Sequence, residues 1–429
     1  MLEEIRQTRF ENGLVVLTDR MPGVRSATLG LFYRIGSRNE PIELTGITHF
    51  IEHAVFKGTA RRSALEIAVE QDRLGGNLDA FTTHEETGFA IKVIDDQLEN
   101  AFDLLADMLM NPAFDQRDLE SEQRVIIEEM KMTDDSPEDF LGEIFSRAFF
   151  PENSLGRPIA GTPESVLTFD ARRTRSYHKE QFHAANLVVV AAGNVDHDAF
   201  VELASRAMGA DVSHEGGDRQ ILDVPRMAAP IVVQQKPDLE QAHLVIATPI
   251  VSATDERRYA ADLLTNIIGG GTSSRLWQKI REEHGLAYSV GAATGMYKDC
   301  GMFSIFAGTS PEQTAEVLDI SISELNDVVA NGVSKEELEL VKHQARASIL
   351  LSLEDSASRA ASLAQSEMIH GRQIPVEETL ANIEAVTVDD VIGIAREFFQ
   401  TEMVAFAALG DLDGLVVDRD RLSVRHSGK

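Results

Sequence analysis

His49, Glu52 and His53 stand in the order H-x-x-E-H within Thr48-His49-Phe50-Ile51-Glu52-His53. On an α-helix the histidines fall at i and i+4 and the glutamate at i+3. At roughly 100° per residue, all three share an arc of about 100°. Such a face offers two imidazoles to a metal ion and a carboxylate to a water beside it, the donor set of a hydrolytic zinc centre. Ile47, Phe50, Ile51, Val55 and Phe56 interleave with the polar trio. The helix is therefore expected to be mostly buried, and inward-pointing histidines need partners.

A hydrolytic zinc takes three protein ligands and keeps one position for water. Residues 115–132 supply candidates for the third. Asp115 and Asp118 mark a helix start. Glu122 and Glu129 lie seven apart on one face with Val125 and Ile126, so both carboxylates are expected to point inward, while Glu128 faces solvent. Periodicity alone leaves both inward glutamates open as ligands.

The run from Gly46 to Thr59 resembles the G-x-x-H-x-x-E-H-x-x-F-K-G-T signature of the pitrilysin (M16) family of zinc peptidases, in its shorter, mitochondrial-processing-peptidase-like branch. The resemblance spans essentially the whole chain. It implies one zinc per chain held by His49, His53 and Glu129, with Glu52 as general base and Glu122 as a supporting acidic residue. Gly75-Gly76-Asn77-Leu78-Asp79-Ala80-Phe81-Thr82 is similar to the family's G-G-x-x-N-A-x-T edge strand, with Asp79 in place of the usual Asn. The resemblance implies that substrate peptide pairs there, at Asp79 and Ala80. Ser273-Ser274-Arg275-Leu276 with Gly285-Leu286-Ala287-Tyr288 resembles a further family segment, in which an arginine and a tyrosine hold substrate. They map onto Arg281 and Tyr288.

The elements that must position these residues read as a duplication. Each half passes through strands, a helix, a Gly-bearing turn, long helices and a closing apolar strand. Leu187–Val195 is echoed by Met403–Asp411, and Phe56-Lys57-Gly58-Thr59 by Gly269-Gly270-Gly271-Thr272. Placing Gly58 on Gly271 puts Asp262, Thr265 and Asn266 where the first half has His49, Glu52 and His53. Val341 and Ser348 likewise replace Glu122 and Glu129. The second half keeps the scaffold without the ligands. The glycine run 269–271 is no phosphate loop, since no Gly-Lys-Ser/Thr follows. The expected fold class is α+β: two homologous α/β-sandwich domains, each a mostly antiparallel sheet with helices packed on it. The expected boundaries are 1–208 for the zinc-bearing domain, 209–224 for a polar linker, and 225–429 for the substrate-holding domain. One chain is about half a single-chain pitrilysin, so the resemblance implies a homodimeric clamp closing a chamber, or a heterodimer with an inactive homologue.

With 429 residues, the chain exceeds one ordinary core. Its formal net charge of −30 argues against nucleic acid, which needs clustered Lys and Arg, and favours cationic peptides as substrates. No apolar run approaches a membrane span. The N-terminus lacks a basic-then-apolar leader, and Cys300 is the single cysteine, so a cytoplasmic protein without disulfides is expected. Competing readings are a non-catalytic scaffold of the same fold and an enzyme that processes one precursor peptide.

Overall fold

The computed structural model describes residues 4–208 and 224–425. The expected linker, 209–224, lies almost wholly outside them. The chain forms two compact units, each built around one sheet.

The first sheet contains β1 (Ile5–Arg9), β2 (Val15–Arg20), β3 (Ser26–Tyr33), β4 (Asn77–Thr82), β5 (Thr87–Ile94) and β6 (Leu187–Gly193), in the order β1-β2-β6-β3-β5-β4. The second contains β7 (Ile231–Gln235), β8 (Ala242–Ile250), β9 (Ala287–Met296), β10 (Gly301–Thr309) and β11 (Ala405–Gly410), in the order β7-β11-β8-β10-β9. Leaving β1 aside, the orders superpose strand for strand. In both, the closing strand runs parallel to one neighbour and antiparallel to the other, and every other pairing is antiparallel. The fold is α+β with two homologous domains. β6 and β11 are buried along their whole length, as the runs Leu187–Ala192 and Ala405–Leu409 dictate for strands covered on both faces.

In the first unit, helices Ile47–Ala54, Leu98–Met110 and Gln116–Asp135 pack on one face of the sheet through Phe50, Ile51, Leu105, Leu119 and Ile126. The other face is covered by helix Ser356–His370, whose Ala360, Leu363, Ala364 and Met368 meet Val15, Leu17, Val188 and Val190. In the second unit, helix Pro137–Phe149 covers sheet residues Ala247, Ala405 and Ala407 with Leu141, Phe145 and Phe149.

The compact units therefore depart from two consecutive halves. Residues 349–375 belong to the first unit and 133–156 to the second. Each unit takes one covering helix from the other half of the chain. The physical reason is burial: a sheet with two apolar faces needs a layer on each.

Candidate metal centre

Helix Ile47–Ala54 is short and held at its N-terminal end. It begins at Gly46, whose φ of +95° is left-handed, and where a Cβ would meet the Ala160 carbonyl oxygen at 2.6 Å. No side chain at Gly46 can cap it. Instead the buried Glu40 carboxylate accepts hydrogen bonds from the backbone N–H of Gly46 at 2.7 Å and of Thr48 at 2.8 Å. A negative group at a helix N-terminus also meets the positive end of the helix dipole. Ile47, Phe50 and Ile51 anchor the inner side completely.

On the same helix His49 and His53 lie with ring centroids 4.6 Å apart. Helix Gln116–Asp135 brings Glu129 to them: one carboxylate oxygen is 3.8 Å from His49 Nε2 and the other 3.5 Å from His53 Nε2. One ligand atom from each of the three residues lies within 4.8 Å of the other two. No other such group of three occurs among the described residues. Two imidazole nitrogens and a carboxylate oxygen fit zinc. His49 Nδ1 is buried with no hydrogen-bond partner among the described residues.

Behind the trio stands a relay. Glu122 pairs with His53 Nδ1 at 2.9 Å, which turns Nε2 toward Glu129 as the ligand atom. Lys57 Nζ closes on the other Glu122 oxygen at 2.5 Å. Burial would raise the Glu122 carboxyl, but the bonds from His53 and Lys57 outweigh it and hold it below the usual glutamate range. Burial likewise opposes charge on His53, yet Glu122, Glu129 and Glu52 together push that imidazole upward. His49 is pushed down to about 4, by burial first and by His53 second. Glu52 is raised, chiefly by burial, and accepts a 2.6 Å hydrogen bond from Thr82 Oγ1 at the end of β4. Lys57 and Thr82 carry no recognisable ligand spacing, and sequence reasoning missed both as parts of this site. Lys57 lay inside the F-K-G-T run without an assigned task.

Other expectations meet the structure unevenly. Val125, expected on the inward stripe, is 47% exposed, while Ile126 is fully buried. The inward stripe is Leu119, Glu122, Gln123 and Ile126 instead, and Glu128 is exposed as expected. Asp79 and Ala80 lie on β4, the edge strand, opposite Ala90 and Phe89 of β5. Alternation along a strand puts Ala80 and Thr82 on the face of the zinc-type trio and Asp79 on the opposite face with Phe81. His84, expected in a solvated turn, is half-buried, accepts or donates a 2.8 Å bond to Ser37 Oγ, and is pushed down to about 4 by burial. Glu85 pairs with the buried Arg38 at 2.7 Å. Arg281 and Tyr288 lie in the second unit, on a π-helical turn and on β9.

Models of two family domains match the chain: "Insulinase (Peptidase family M16)" over residues 15–163 and "Peptidase M16 inactive domain" over 168–345. An uncharacterised zinc protease of Streptomyces coelicolor is 39% identical over 403 residues, covering 92% of this chain and 87% of that protein. The fold matches a protease from Helicobacter pylori with a TM-score of 0.86 at 22% identity, over 95% of this chain and 100% of the other. It also matches a chain of complex III2 from Candida albicans with a TM-score of 0.84 at 19% identity, over 97% and 99%. The chain belongs to peptidase family M16. Among the described residues no helix is long and apolar enough to cross a membrane.

Proposed function

We propose that this chain is a zinc-dependent endopeptidase acting on unfolded, preferentially cationic peptides. The observation that carries the reading is the convergence of His49, His53 and Glu129 with Glu52 beside them on one helix face. These three side chains would hold the ion, which when bound polarises a carbonyl and acidifies a water. Glu52, oriented by Thr82, takes a proton from the attacking water and passes it to the leaving amine. Burial raises its carboxyl, which makes it a stronger acceptor for the proton of the water. Glu122 fixes the His53 ring, and Lys57 fixes Glu122.

The substrate adds to the free edge of β4, pairing by backbone with Asp79 and Ala80, so affinity depends little on sequence. The Asp79 side chain alternates to the opposite face, so it pairs with substrate through its main chain, while its charge still helps to raise Glu52. Arg281 and Tyr288 hold the peptide from the second unit, and two chains close the chamber as a homodimer. The net charge of −30 supports cationic substrates, and the single, buried Cys300 fits a reducing compartment such as the cytoplasm.

The test is cleavage of a mixture of unstructured basic and acidic peptides by zinc-loaded protein, with and without a chelator. Chelator-sensitive cutting, faster on basic peptides, is the expected result. In the Glu52→Gln variant, zinc content should stay at the unaltered level while turnover disappears; retained cutting would remove Glu52 from its role. One other reading is a scaffold of the same fold without activity, against which the intact trio stands.

A further inference from the structure

Arg281 is held more firmly than an accessible arginine needs to be. Its guanidinium carbon lies 4.2 Å from the Trp277 ring centroid and 4.6 Å from that of Tyr288. Nη1 donates to the Tyr288 carbonyl oxygen at 2.7 Å. Among the described residues the side chain makes no other hydrogen bond; the Glu282 carboxylate lies 3.9 Å from Nε, an ion-pair contact too long to use that donor, so of five N–H donors only one is hydrogen-bonded. Tyr288 itself is 78% exposed. Ordering a long side chain on an open surface costs rotamer freedom, and no buried charge or core contact accounts for it here.

The local backbone explains how the arrangement is built. Residues Trp277–Glu283 form a π-helical turn, which brings residues five apart into register. Trp277 and Glu282 meet by that spacing, the indole N–H donating to the Glu282 carboxylate at 3.0 Å, and this fixes the rotation of the ring. Gly285, at φ +64°, then reverses the chain so that β9 starts beneath the turn and Tyr288 returns to Arg281. Trp277 is half-exposed and absent from the fully buried core.

We infer that Trp277 is a positioning residue for peptide binding: its ring holds the Arg281 guanidinium over Tyr288, with donors spare for an acceptor on the substrate. The inference rests on the reading that Arg281 and Tyr288 hold the peptide. Preordering the guanidinium lowers the ordering cost at the moment of binding.

The experiment measures the dissociation constant of one dye-labelled, unstructured basic peptide by anisotropy. The protein is zinc-loaded and carries Glu52→Gln, so that turnover does not consume the probe. Trp277→Leu keeps apolar bulk but removes the ring, and should weaken binding by about three- to tenfold. Trp277→Phe keeps a ring face but loses the N–H bond to Glu282, and should recover part of the loss, binding more tightly than Trp277→Leu. In an Arg281→Ala background, Trp277→Leu should weaken binding no further, since its effect passes through Arg281. Full additivity of the two changes, or a melting temperature that falls while the dissociation constant holds, would overturn the inference and leave Trp277 as a staple of the turn. If Arg281→Ala alone binds as the parent does, the peptide-holding role of Arg281 falls as well. Equal zinc content across the variants separates all of these outcomes from a failure of the metal centre.

Discussion

At the scale of single residues, the centre is a chain of charge that runs Lys57, Glu122, His53. Removing Lys57 as Lys57→Met leaves Glu122 buried with one partner instead of two. The carboxylate then binds His53 less firmly and the ring is less well oriented. Zinc affinity should drop by about 10- to 100-fold, as for other outer partners of metal ligands, and Lys57→Arg should recover most of it. Competition with a chromophoric chelator reads this directly, and unchanged affinity in Lys57→Met would discard the relay. The same relay sets a pH dependence. Zinc must displace the proton on His53, whose ionisation is pushed upward by Glu122, Glu129 and Glu52 against burial. His49, pushed down to about 4, holds no proton to displace at neutral pH. Below the His53 range, affinity should therefore fall by about tenfold per pH unit, steepening to two protons only near pH 4. A two-proton slope at pH 6 would mean that both histidines are charged there. Of these residues, the His-Glu-His set was legible because a helix converts adjacent sequence into a shared face. Thr82, which closes the quoted edge-strand run, was given no role there, because its contact with Glu52 depends on how β4 packs beside the helix.

At the scale of elements, two devices hold the site helix and its sheet. Glu40 is the acceptor for the first turn of helix Ile47–Ala54. Burial pushes its carboxyl up to about 7, against the lowering effect of the bonds from Gly46 and Thr48. A carboxyl raised in the folded state gives stability that is complete below its unfolded value and lost as pH rises through its folded one. Relative to Glu40→Gln, which never ionises, the unaltered protein should lose stability between about pH 5 and pH 8. Urea unfolding of both proteins across that range checks it, and a difference that grows in the opposite direction would show that the ionised form is the favoured cap. The second device ties helix Ser356–His370 to the first sheet. Arg359 and Asp19 pair at 2.7 Å with both side chains 2% exposed, and Glu367, also buried, receives Arg9 and Arg34. Arg359→Met strands Asp19 without its cation and should cost about 3–5 kcal/mol. An unfolding midpoint equal to the parent's would show that the helix is held by its apolar face alone. The strand runs and the two sheets could be read from the sequence, since buried β-branched stretches and their echo in the second half mark them. The crossing of helices 137–149 and 356–370 between units could not: an apolar stripe says which side of a helix is buried, but not which sheet buries it.

At the scale of the whole molecule, the chain carries both the metal trio and the Arg281–Tyr288 pair, one set in each compact unit. In the proposed homodimer, Arg281 and Tyr288 of one protomer serve the metal centre of the other. Complementation separates that arrangement from one in which each chain serves itself. Glu52→Gln and Arg281→Ala chains, each inactive or nearly so alone, are unfolded together and refolded at equal amounts. Random pairing makes half of the dimers mixed. If the pair acts across the dimer, one of the two sites in each mixed dimer has an intact Glu52 facing an intact Arg281. Activity should then return to about a quarter of the unaltered protein's. If the pair acts within its own chain, every site in every dimer retains one lesion, and mixing restores nothing. Separation of tagged mixed dimers before the assay makes the reading independent of pairing efficiency, because such dimers should show about half the unaltered rate in the first case and about half the residual rate of the Arg281→Ala protein in the second. Native mass measurement of the same samples tests the dimer itself: a complex of one chain only would remove the crossed arrangement and leave Arg281 and Tyr288 to act within their own protomer.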